Sequence, residues 1–442
     1  MPARAQTGSS AGIPMIRDAE IEQLMRDYTA PILRAAGLGQ QNVQVVIIGD
    51  KSFNAFVMDA HRIFVNSGAL MQSTTPNQMI GVFAHETGHI VGGHLSKMRQ
   101  VLANAQTAAI VAMLLGLGAV VAGAKSGSAD MGSVGAAALS APQSYLQHTL
   151  LAYQRAQEDQ ADRAGVRFLT MTGQSAKGMY DTFKKFADEM MFSSAYVDPY
   201  VQNHPMPAER MAALAELVKT PYWDKKDPPE LQFRHDMMRG KLYGFTERAD
   251  TVMRRYPASD TSMPARYARA IASYRFGDAR SALAQIDSLI EAMPNYPYFY
   301  ELKGQALLES GHAAEALVPL RRAVEMAPNP ALIQILLAQA LIATNNPRLT
   351  SEAIPLLRTA LAKEPESGDA YEQLAMAYGH GGDLADADLA SAQAAFSRGD
   401  NKTARELAAR AKMRFPVGSP GWVRADDIVA FNKGKSPLRA GQ

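Results

Sequence analysis

Five consecutive residues, His85-Glu86-Thr87-Gly88-His89, have the types and the spacing that most directly predict chemistry in this sequence. On a helix, His85 and His89 are four positions apart, so their side chains share one face. Their imidazole nitrogens can then share one zinc ion, while Glu86 can hold a water molecule and take its proton. The pattern HExxH therefore predicts a zinc-dependent hydrolase of amide bonds, against the alternative of a chance match in a long helix.

A third zinc ligand is predicted on a later helix, which contains Glu158 and Asp162. An isolated acidic residue on a helix is most often a solvated surface group. Here Asp162 shares the face of Glu158 and can accept the outer N–H of a zinc-bound histidine. Together with HExxH, this spacing favours Glu158 as the third metal ligand and Asp162 as the residue that orients a ligand.

Another class of zinc site, the metzincin pattern HExxHxxGxxH, is excluded by the residues that follow the motif. Gly92 stands at the required position, but the third ligand position holds Leu95, and His94 comes one residue early. On a continuing helix, at about 100° per residue, His94 would point away from His85 and His89. The sequence therefore predicts that His94 is a solvent-facing or packing residue.

The helix that carries HExxH has a clear start signal. Thr75 can cap its N-terminus, Pro76 fits the first turn, and Gln78 completes the spacing of a capping box with Thr75. Earlier in the chain, residues 15–37 have apolar side chains at helical spacing. Two helices are therefore predicted before and at the motif.

Three short strands are predicted between these helices, at residues 43–49, 55–58 and 63–66. They would form a small hairpin-built sheet beside the HExxH helix. An edge strand of that sheet could pair with an extended substrate and hold its scissile amide over the metal. The alternative is an edge strand without such a role.

Residues 108–124 form a stretch of 17 residues without charge, and a tract rich in small residues follows at 126–141. Such a length is at the lower limit for crossing a bilayer. A buried helix or a hairpin that touches a membrane is therefore favoured over a true membrane span. A lid over the site is a further alternative.

Length and composition set broad limits on function. The chain has 442 residues and a net charge of +2 without a long basic run, so two or three domains and no nucleic-acid partner are expected. It contains no cysteine, which excludes disulfides and thiol catalysis. Residues 1–14 are interpreted as a disordered leader, in which Ala3-Arg4-Ala5 resembles the end of a secretory signal that lacks its hydrophobic part.

The composition changes at residues 224–229, which are charged and proline-bearing, so a domain boundary is predicted there between domains 15–222 and 230–434. In the second domain, prolines recur at intervals of 34 to 37 residues, as in stacked helix pairs of the tetratricopeptide-repeat type. The last interval is longer, which predicts an inserted helix at Asp383–Phe396. The recurring prolines are Pro257, Pro294, Pro328, Pro365 and Pro416.

HExxH followed by Glu158-x-x-x-Asp162 resembles the gluzincin peptidase family that includes the CAAX-prenyl endopeptidases and the membrane protease HtpX. His204-Pro205-x-x-x-x-Arg210 matches another motif of that family. The resemblance implies that His204 and Arg210 line the catalytic cleft and stabilise the oxyanion, a role that suits two hydrogen-bond donors. It also implies that His204 can cover the zinc as a fourth ligand. Without the resemblance, His204 would be a loop residue and Arg210 a surface charge.

A peptidase domain followed by tetratricopeptide repeats is similar to the periplasmic branch of this family. The resemblance implies a mainly α protein, with an α+β zincin domain that has a small β-sheet and an all-α repeat solenoid after it. It also implies one Zn2+ per chain and a periplasmic location, with membrane-surface contact left open. Unfolded or misassembled envelope proteins would be the substrates, and the repeats would bind these clients or the β-barrel assembly machinery.

The resulting hypothesis is water-mediated peptide hydrolysis in outer-membrane protein quality control. His85, His89 and Glu158 would hold zinc. Glu86 would remove the proton of the attacking water and deliver it to the leaving amine. The alternative is a chaperone or adaptor whose repeats bind clients while the zinc site stays latent. Three protein ligands leave a fourth position open, which favours catalysis.

Overall fold

A computed structural model of the 442-residue chain describes residues 14–100, 153–192, 199–206 and 208–431. The predicted leader, apart from its last residue, lies outside these ranges, as do the apolar stretch 108–124 and the tract 126–141. No helix within the described ranges is both long and apolar enough to cross a membrane.

The strands are β1 Met15–Ile16, β2 Gln44–Ile48, β3 Ala55–Val57 and β4 Arg62–Asn66. The helices before the gap are α1 Ala19–Ala35, α2 Ser67–Gln72, α3 Pro76–Gly92 and α4, residues 94–100. The helices from residue 153 to the end of α10 are α5, residues 153–171, α6 Lys177–Phe192, α7 Pro199–Asn203, α8 Ala208–Leu217, α9 Pro229–Thr246 and α10 Ala249–Arg255. The remaining helices are α11 Met263–Phe276, α12 Ala279–Ala292, α13 Pro297–Glu309, α14 Ala313–Met326, α15 Ala331–Ala343, α16 Pro347–Lys363, α17 Gly368–His380, α18 Leu384–Ser397, α19 Asn401–Arg414 and α20 Pro420–Ala430.

The chain divides into two compact units. One is Met25–His235, here called the sheet unit, and the other combines Met1–Leu24 with Asp236–Gln442, here called the repeat unit. The first has helices and a small sheet and the second is built of helix pairs, so the predicted fold class is confirmed.

The sheet of the sheet unit has its strands in the order β2, β4, β3. β2 pairs with β4 in parallel, with Gln44 opposite Arg62, and β3 pairs with β4 antiparallel, with Ala55 opposite Val65. Four consecutive residues of β4, from Ile63 to Asn66, are buried, so this central strand is covered on both faces. The predicted strands and the hairpin of β3 and β4 are confirmed.

α3 begins where its sequence predicts and ends at Gly92. Gln78 donates its backbone N–H to the Thr75 hydroxyl, and Thr75 donates its own N–H to the Gln78 carboxamide, which completes a capping box. Gly93 then adopts a left-handed conformation with a φ of 61° and ends the helix. The side chains between these caps are almost all buried, so α3 is the core of the sheet unit.

α3 is in backbone contact with α5 through two glycines. A Cβ atom on Gly88 would lie 2.8 Å from the carbonyl oxygen of Ala161, and one on Gly165 would lie 3.1 Å from the backbone nitrogen of His85. Only glycine permits two helices to approach in this way without displacement. The contact brings the acidic residues of α5 to the face of α3 that carries HExxH.

The repeat unit consists of consecutive helices that contact their neighbours, with small and branched apolar side chains between them. α18 lies where the sequence predicts an inserted helix, at Asp383–Phe396, and it contacts both α17 and α19. Two helices lie between successive recurring prolines earlier in the chain, whereas three, α17, α18 and α19, lie between Pro365 and Pro416.

Residues before Met25 belong to the repeat unit through a buried cluster of charges. Lys241 is buried and its Nζ lies 2.8 Å from Asp18 and 3.2 Å from Glu20. Tyr267 donates its hydroxyl hydrogen to Glu20 at 3.0 Å. The N-terminal segment therefore neutralises a lysine that the repeat helices bury.

We expect Gly88→Ala to destabilise the sheet unit, because the added methyl group must separate α3 from α5. Overpacking of this kind costs about 1–3 kcal/mol of unfolding free energy. The matched control is Gly379→Ala in α17, where an added Cβ meets nothing within 4 Å. That variant should be neutral or more stable, because alanine is the better helix former. Urea unfolding followed by circular dichroism measures both, and equal midpoints for the two variants would contradict the contact.

Candidate metal centre

Four side chains from three parts of the sheet unit meet at one buried point. His85 and His89 come from α3, Glu158 from α5, and His204 from the residue after α7. Each offers one ligand atom, and these atoms all lie within 4.8 Å of one another. The structure thus brings together the three residues predicted as metal ligands and places His204 beside them as a fourth.

When the two histidines of α3 are neutral, the hydrogen bonds of their Nδ1 atoms leave both Nε2 atoms as acceptors. His85 donates Nδ1–H to Asp162 at 3.0 Å, and Nδ1 of His89 lies 2.9 Å from Nδ1 of His94. His94 donates its Nε2–H to the Gln160 carboxamide oxygen at 3.2 Å, so in the neutral ring its Nδ1 can only accept from His89. The Nε2 atoms of His85 and His89 lie 3.1 Å apart. In the neutral rings two lone pairs face each other at this distance, and a cation between them would satisfy both; the donor set fits zinc.

The electrostatics of the site favour a positive charge at the same point. Burial alone would lower the pKa of His85, but its hydrogen bonds to Asp162 and Glu158 outweigh burial and raise it to about 9. Burial works against the ionised form of Glu158, yet neighbouring positive side chains hold its pKa well below the usual range. For His89, burial and the charge of His85 together lower the pKa well below its ordinary value. The carboxylates therefore attract a cation, and His89 stays a neutral imidazole that can ligate.

Glu86 is placed for proton transfer. Its side chain is fully buried, and neither carboxylate oxygen has a hydrogen-bond partner among the described residues. Burial raises the pKa of Glu86. A buried carboxylate without partners costs free energy, and such groups are found where a substrate or a water molecule is to be bound. A general base is the role that the sequence predicts for this position, and a raised pKa suits that role.

Arg210 lies at the site but its donors are largely engaged. It holds Asp162 with two hydrogen bonds, from Nε at 2.7 Å and from Nη2 at 2.9 Å. Its Nη1 lies 2.9 Å from Glu158 and donates to the backbone oxygen of Pro205 at 2.9 Å. These contacts favour a positioning role for Arg210. The oxyanion role inferred from the family resemblance stays a prediction.

His204 is held over the site by the chain around it. Its backbone N–H donates to the carbonyl of Tyr200 at 2.7 Å, and the two rings have centroids 4.7 Å apart. Its Nδ1 lies 3.1 Å from Glu158 and its Nε2 lies 3.3 Å from Glu86. The ring thus lies between a predicted metal ligand and the predicted base, where a substrate carbonyl would have to enter.

The prediction for His94 is wrong in its geometry. The ring contacts His89 instead of pointing away from it, and the side chain is buried. The angle was calculated for a continuing helix, but α3 ends at Gly92 and the left-handed Gly93 reverses the chain direction. The pair Gly92-Gly93 was the sequence signal for this end, because glycine after the last periodic residue is typical of a helix C-terminus. Gln160, which holds His94, had no such signal.

Comparison with known proteins agrees with this arrangement. Residues 16–218 match the family model described as "Peptidase family M48". Metalloprotease LoiP of Escherichia coli is 32% identical over 197 residues, which are 44% of this chain and 70% of that protein. The beta-barrel assembly-enhancing protease of Escherichia coli is 23% identical over 373 residues, which are 82% of this chain and 73% of that protein.

The extent of likeness differs among relatives. A relative from Vibrio cholerae is 24% identical over 220 residues, and the chain spans only 43% of its length. The family model covers the part of the chain that contains HExxH, Glu158 and the loop of His204. The chain therefore belongs to peptidase family M48, and the prediction that it is a metalloprotease is confirmed.

Proposed function

We propose that this protein is a zinc-dependent endopeptidase that cleaves unfolded or stalled envelope proteins in the periplasm. One zinc ion per chain would be held by His85, His89 and Glu158. The observation that carries the proposal is the pair of buried Nε2 acceptors at 3.1 Å with a buried carboxylate beside them. A cation at this point would satisfy both neutral imidazoles and the carboxylate, and histidine with carboxylate ligands is the donor set of catalytic zinc.

The reaction is hydrolysis of a peptide bond by water. When bound, zinc supplies a Lewis acid that lowers the pKa of a water molecule and polarises the scissile carbonyl. Glu86 takes the proton of the attacking water on one of its unpartnered oxygens. It then gives that proton to the leaving amine, so the base is regenerated in its ionised form. Burial raises the pKa of Glu86 from its ordinary value towards neutral pH. A carboxyl group with such a pKa can both take the proton from water and give it to the amine.

Asp162 and Arg210 keep the ligands in place. The Asp162 carboxylate fixes the tautomer of His85 by accepting its Nδ1–H, so the Nε2 lone pair remains available to zinc. Arg210 donates one hydrogen bond to each oxygen of that carboxylate, and its guanidinium also lies beside Glu158. Planar, bidentate pairing of this kind defines both the position and the rotation of the carboxylate.

We propose that His204 acts as a latch. Its ring covers the predicted metal point and lies 3.3 Å from the carboxylate of Glu86, in the space that a substrate needs. Displacement of the ring would open the fourth ligand position. Once displaced, the imidazole could also donate to the oxyanion, so a latch and a donor role are compatible.

The proposed clients and partners follow from the family and from the repeats. The relatives named beta-barrel assembly-enhancing proteases support a role in outer-membrane protein assembly and a periplasmic location. Helix-pair repeats present extended surfaces for protein binding, so we assign client capture and docking on the β-barrel assembly machinery to the domain 230–434. The domain 15–222 would be the peptidase. Within it, β3 is the edge strand with which an extended substrate would pair.

A second candidate is supported by the position of His204. Because the ring covers the site, the protein could act chiefly as a chaperone or adaptor, with a latent peptidase that opens on demand. In that case the repeats would bind clients and zinc would be present without cleavage. The two functions differ in one measurable respect, which is whether purified protein with zinc cuts an unfolded protein such as casein.

Glu86→Gln is expected to abolish cleavage of casein while zinc stays bound. The substitution keeps the shape of the side chain but removes the base, and general-base catalysis contributes about 10²–10⁴-fold. Glu209→Gln is the matched control, because Glu209 is an exposed residue at the start of α8. Zinc content by metal analysis and casein cleavage are measured on the same samples. Full activity in Glu86→Gln would refute the assignment of the base.

His204→Ala is expected to raise the rate of casein cleavage. If the site is open in about one molecule in ten, removal of the latch gives roughly a tenfold increase. His380→Ala, on the exposed end of α17, serves as the control. A fall of about 100-fold or more would instead assign His204 an oxyanion role, since that is the cost of losing one such donor. Zinc without cleavage in wild type and in His204→Ala would favour the adaptor.

A further inference from the structure

We infer that His94 is a positioning residue that fixes the tautomer and the orientation of the metal ligand His89. The inference rests on the proposed role of His89 as a zinc ligand. It assigns to His89 the kind of support that Asp162 gives to His85, but from a histidine and a glutamine instead of a carboxylate. Two hydrogen bonds link Gln160 to His94 and His94 to His89, and they are here called the relay.

The direction of the relay follows from the chemistry of its members. The carboxamide oxygen of Gln160 can only accept, so the Nε2 atom of His94, 3.2 Å away, carries a hydrogen. In the neutral ring, Nδ1 of His94 is then an acceptor, and it receives Nδ1–H of His89 at 2.9 Å. His89 is left with its lone pair on Nε2, which is the atom that lies 3.1 Å from Nε2 of His85. The opposite tautomer of His89 would place a hydrogen at the metal point.

The backbone around His94 is arranged so that the ring can reach His89. Gly93 has a φ of 61°, which reverses the chain at the end of α3 and directs residue 94 back towards the motif. A Cβ atom on Gly92 would lie 2.1 Å from Nε2 of His94, so only glycine leaves room for the ring. Gln157 donates its carboxamide hydrogen to the backbone oxygen of His94 at 2.9 Å. The ring is therefore held from the backbone as well as from its two nitrogens.

α5 supplies the support for both histidines of the motif. Glu158 and Asp162 face the metal ligands, while Gln157 and Gln160 hold His94. The same helix thus provides one ligand and orients the other two. A ring that merely filled space would need neither an acceptor facing Nδ1 of His89 nor a partner on its second nitrogen.

The test compares two substitutions of equal shape at position 94. In His94→Asn, the carboxamide oxygen takes the place of the imidazole Nδ1 and can still accept from His89. In His94→Leu, a methyl group takes the same place. Zinc affinity is measured by competition with a fluorescent chelator on the full-length protein, and the unfolding temperature is measured on the metal-free protein. Asp159→Asn is the control, since Asp159 is exposed on the same helix and its carboxylate pairs with Arg163.

We expect His94→Leu to weaken zinc binding by about 10–100-fold, the usual cost of losing an outer partner of a metal histidine. His94→Asn should recover most of that loss, at a similar unfolding temperature of the metal-free protein, and Asp159→Asn should bind zinc as the wild type does. Equal zinc affinity in the Leu and Asn variants would overturn the inference, as would a loss in Asp159→Asn as large as that in His94→Leu.

A second pair of variants covers the case in which His94→Leu does not fold. Gln160 is exposed, so Gln160→Met and Gln160→Glu should both fold. Met removes the acceptor that sets the tautomer of His94 and should weaken zinc binding, whereas Glu keeps an acceptor and should not. Identical affinities in this pair would overturn the relay. Absence of zinc binding in the wild type would refute the proposed function itself, so the two failures are distinguishable.

Discussion

The close approach of α3 and α5 is the constraint on which the site depends. At Gly88 and Gly165 the two helix backbones touch, and no side chain separates them. This distance determines where Glu158 and Asp162 stand relative to His85. A change of a few tenths of an ångström at the crossing would be passed to every ligand atom, because packed interiors transmit displacement instead of absorbing it.

The approach also concentrates charge where water is excluded. Glu86, Glu158 and Asp162 are all buried, and Arg210 is the nearby side chain with a permanent positive charge. Buried carboxylates are costly unless they are paired, so the site is incomplete as an arrangement of protein atoms alone. A divalent cation at the meeting point of the ligands would supply the missing positive charge. Metal binding and stability of the sheet unit are therefore linked.

Much of this arrangement can be predicted from residues that are close in the sequence, and the rest depends on tertiary contacts. The capping residues of α3 and the runs of branched apolar residues in β2 and β4 predict their elements, because their causes lie within a few residues. The meeting of HExxH with Glu158 was predicted from ligand chemistry, which constrains distant residues as strongly as spacing does. The position of His94 was not predicted, because it depends on one left-handed residue, Gly93. The helix at 384–397 was predicted from the longer interval between Pro365 and Pro416, because the shorter intervals leave room for two helices each.

The repeat unit is discontinuous in the chain, and this has a consequence for the order of folding. Its helices from Asp236 onward bury Lys241, but the acidic partners Asp18 and Glu20 are synthesised before the whole sheet unit. A fragment that begins at Asp236 would lose the two shorter ion pairs of that buried lysine and keep Glu301, whose carboxylate lies 3.8 Å from its Nζ. The sheet unit, in contrast, is one continuous stretch from Met25 to His235 and has all of its own site residues. During synthesis the sheet unit can thus be completed first. Asp18 and Glu20 pair with Lys241 only after residue 241 has been made, so the repeat unit is completed last.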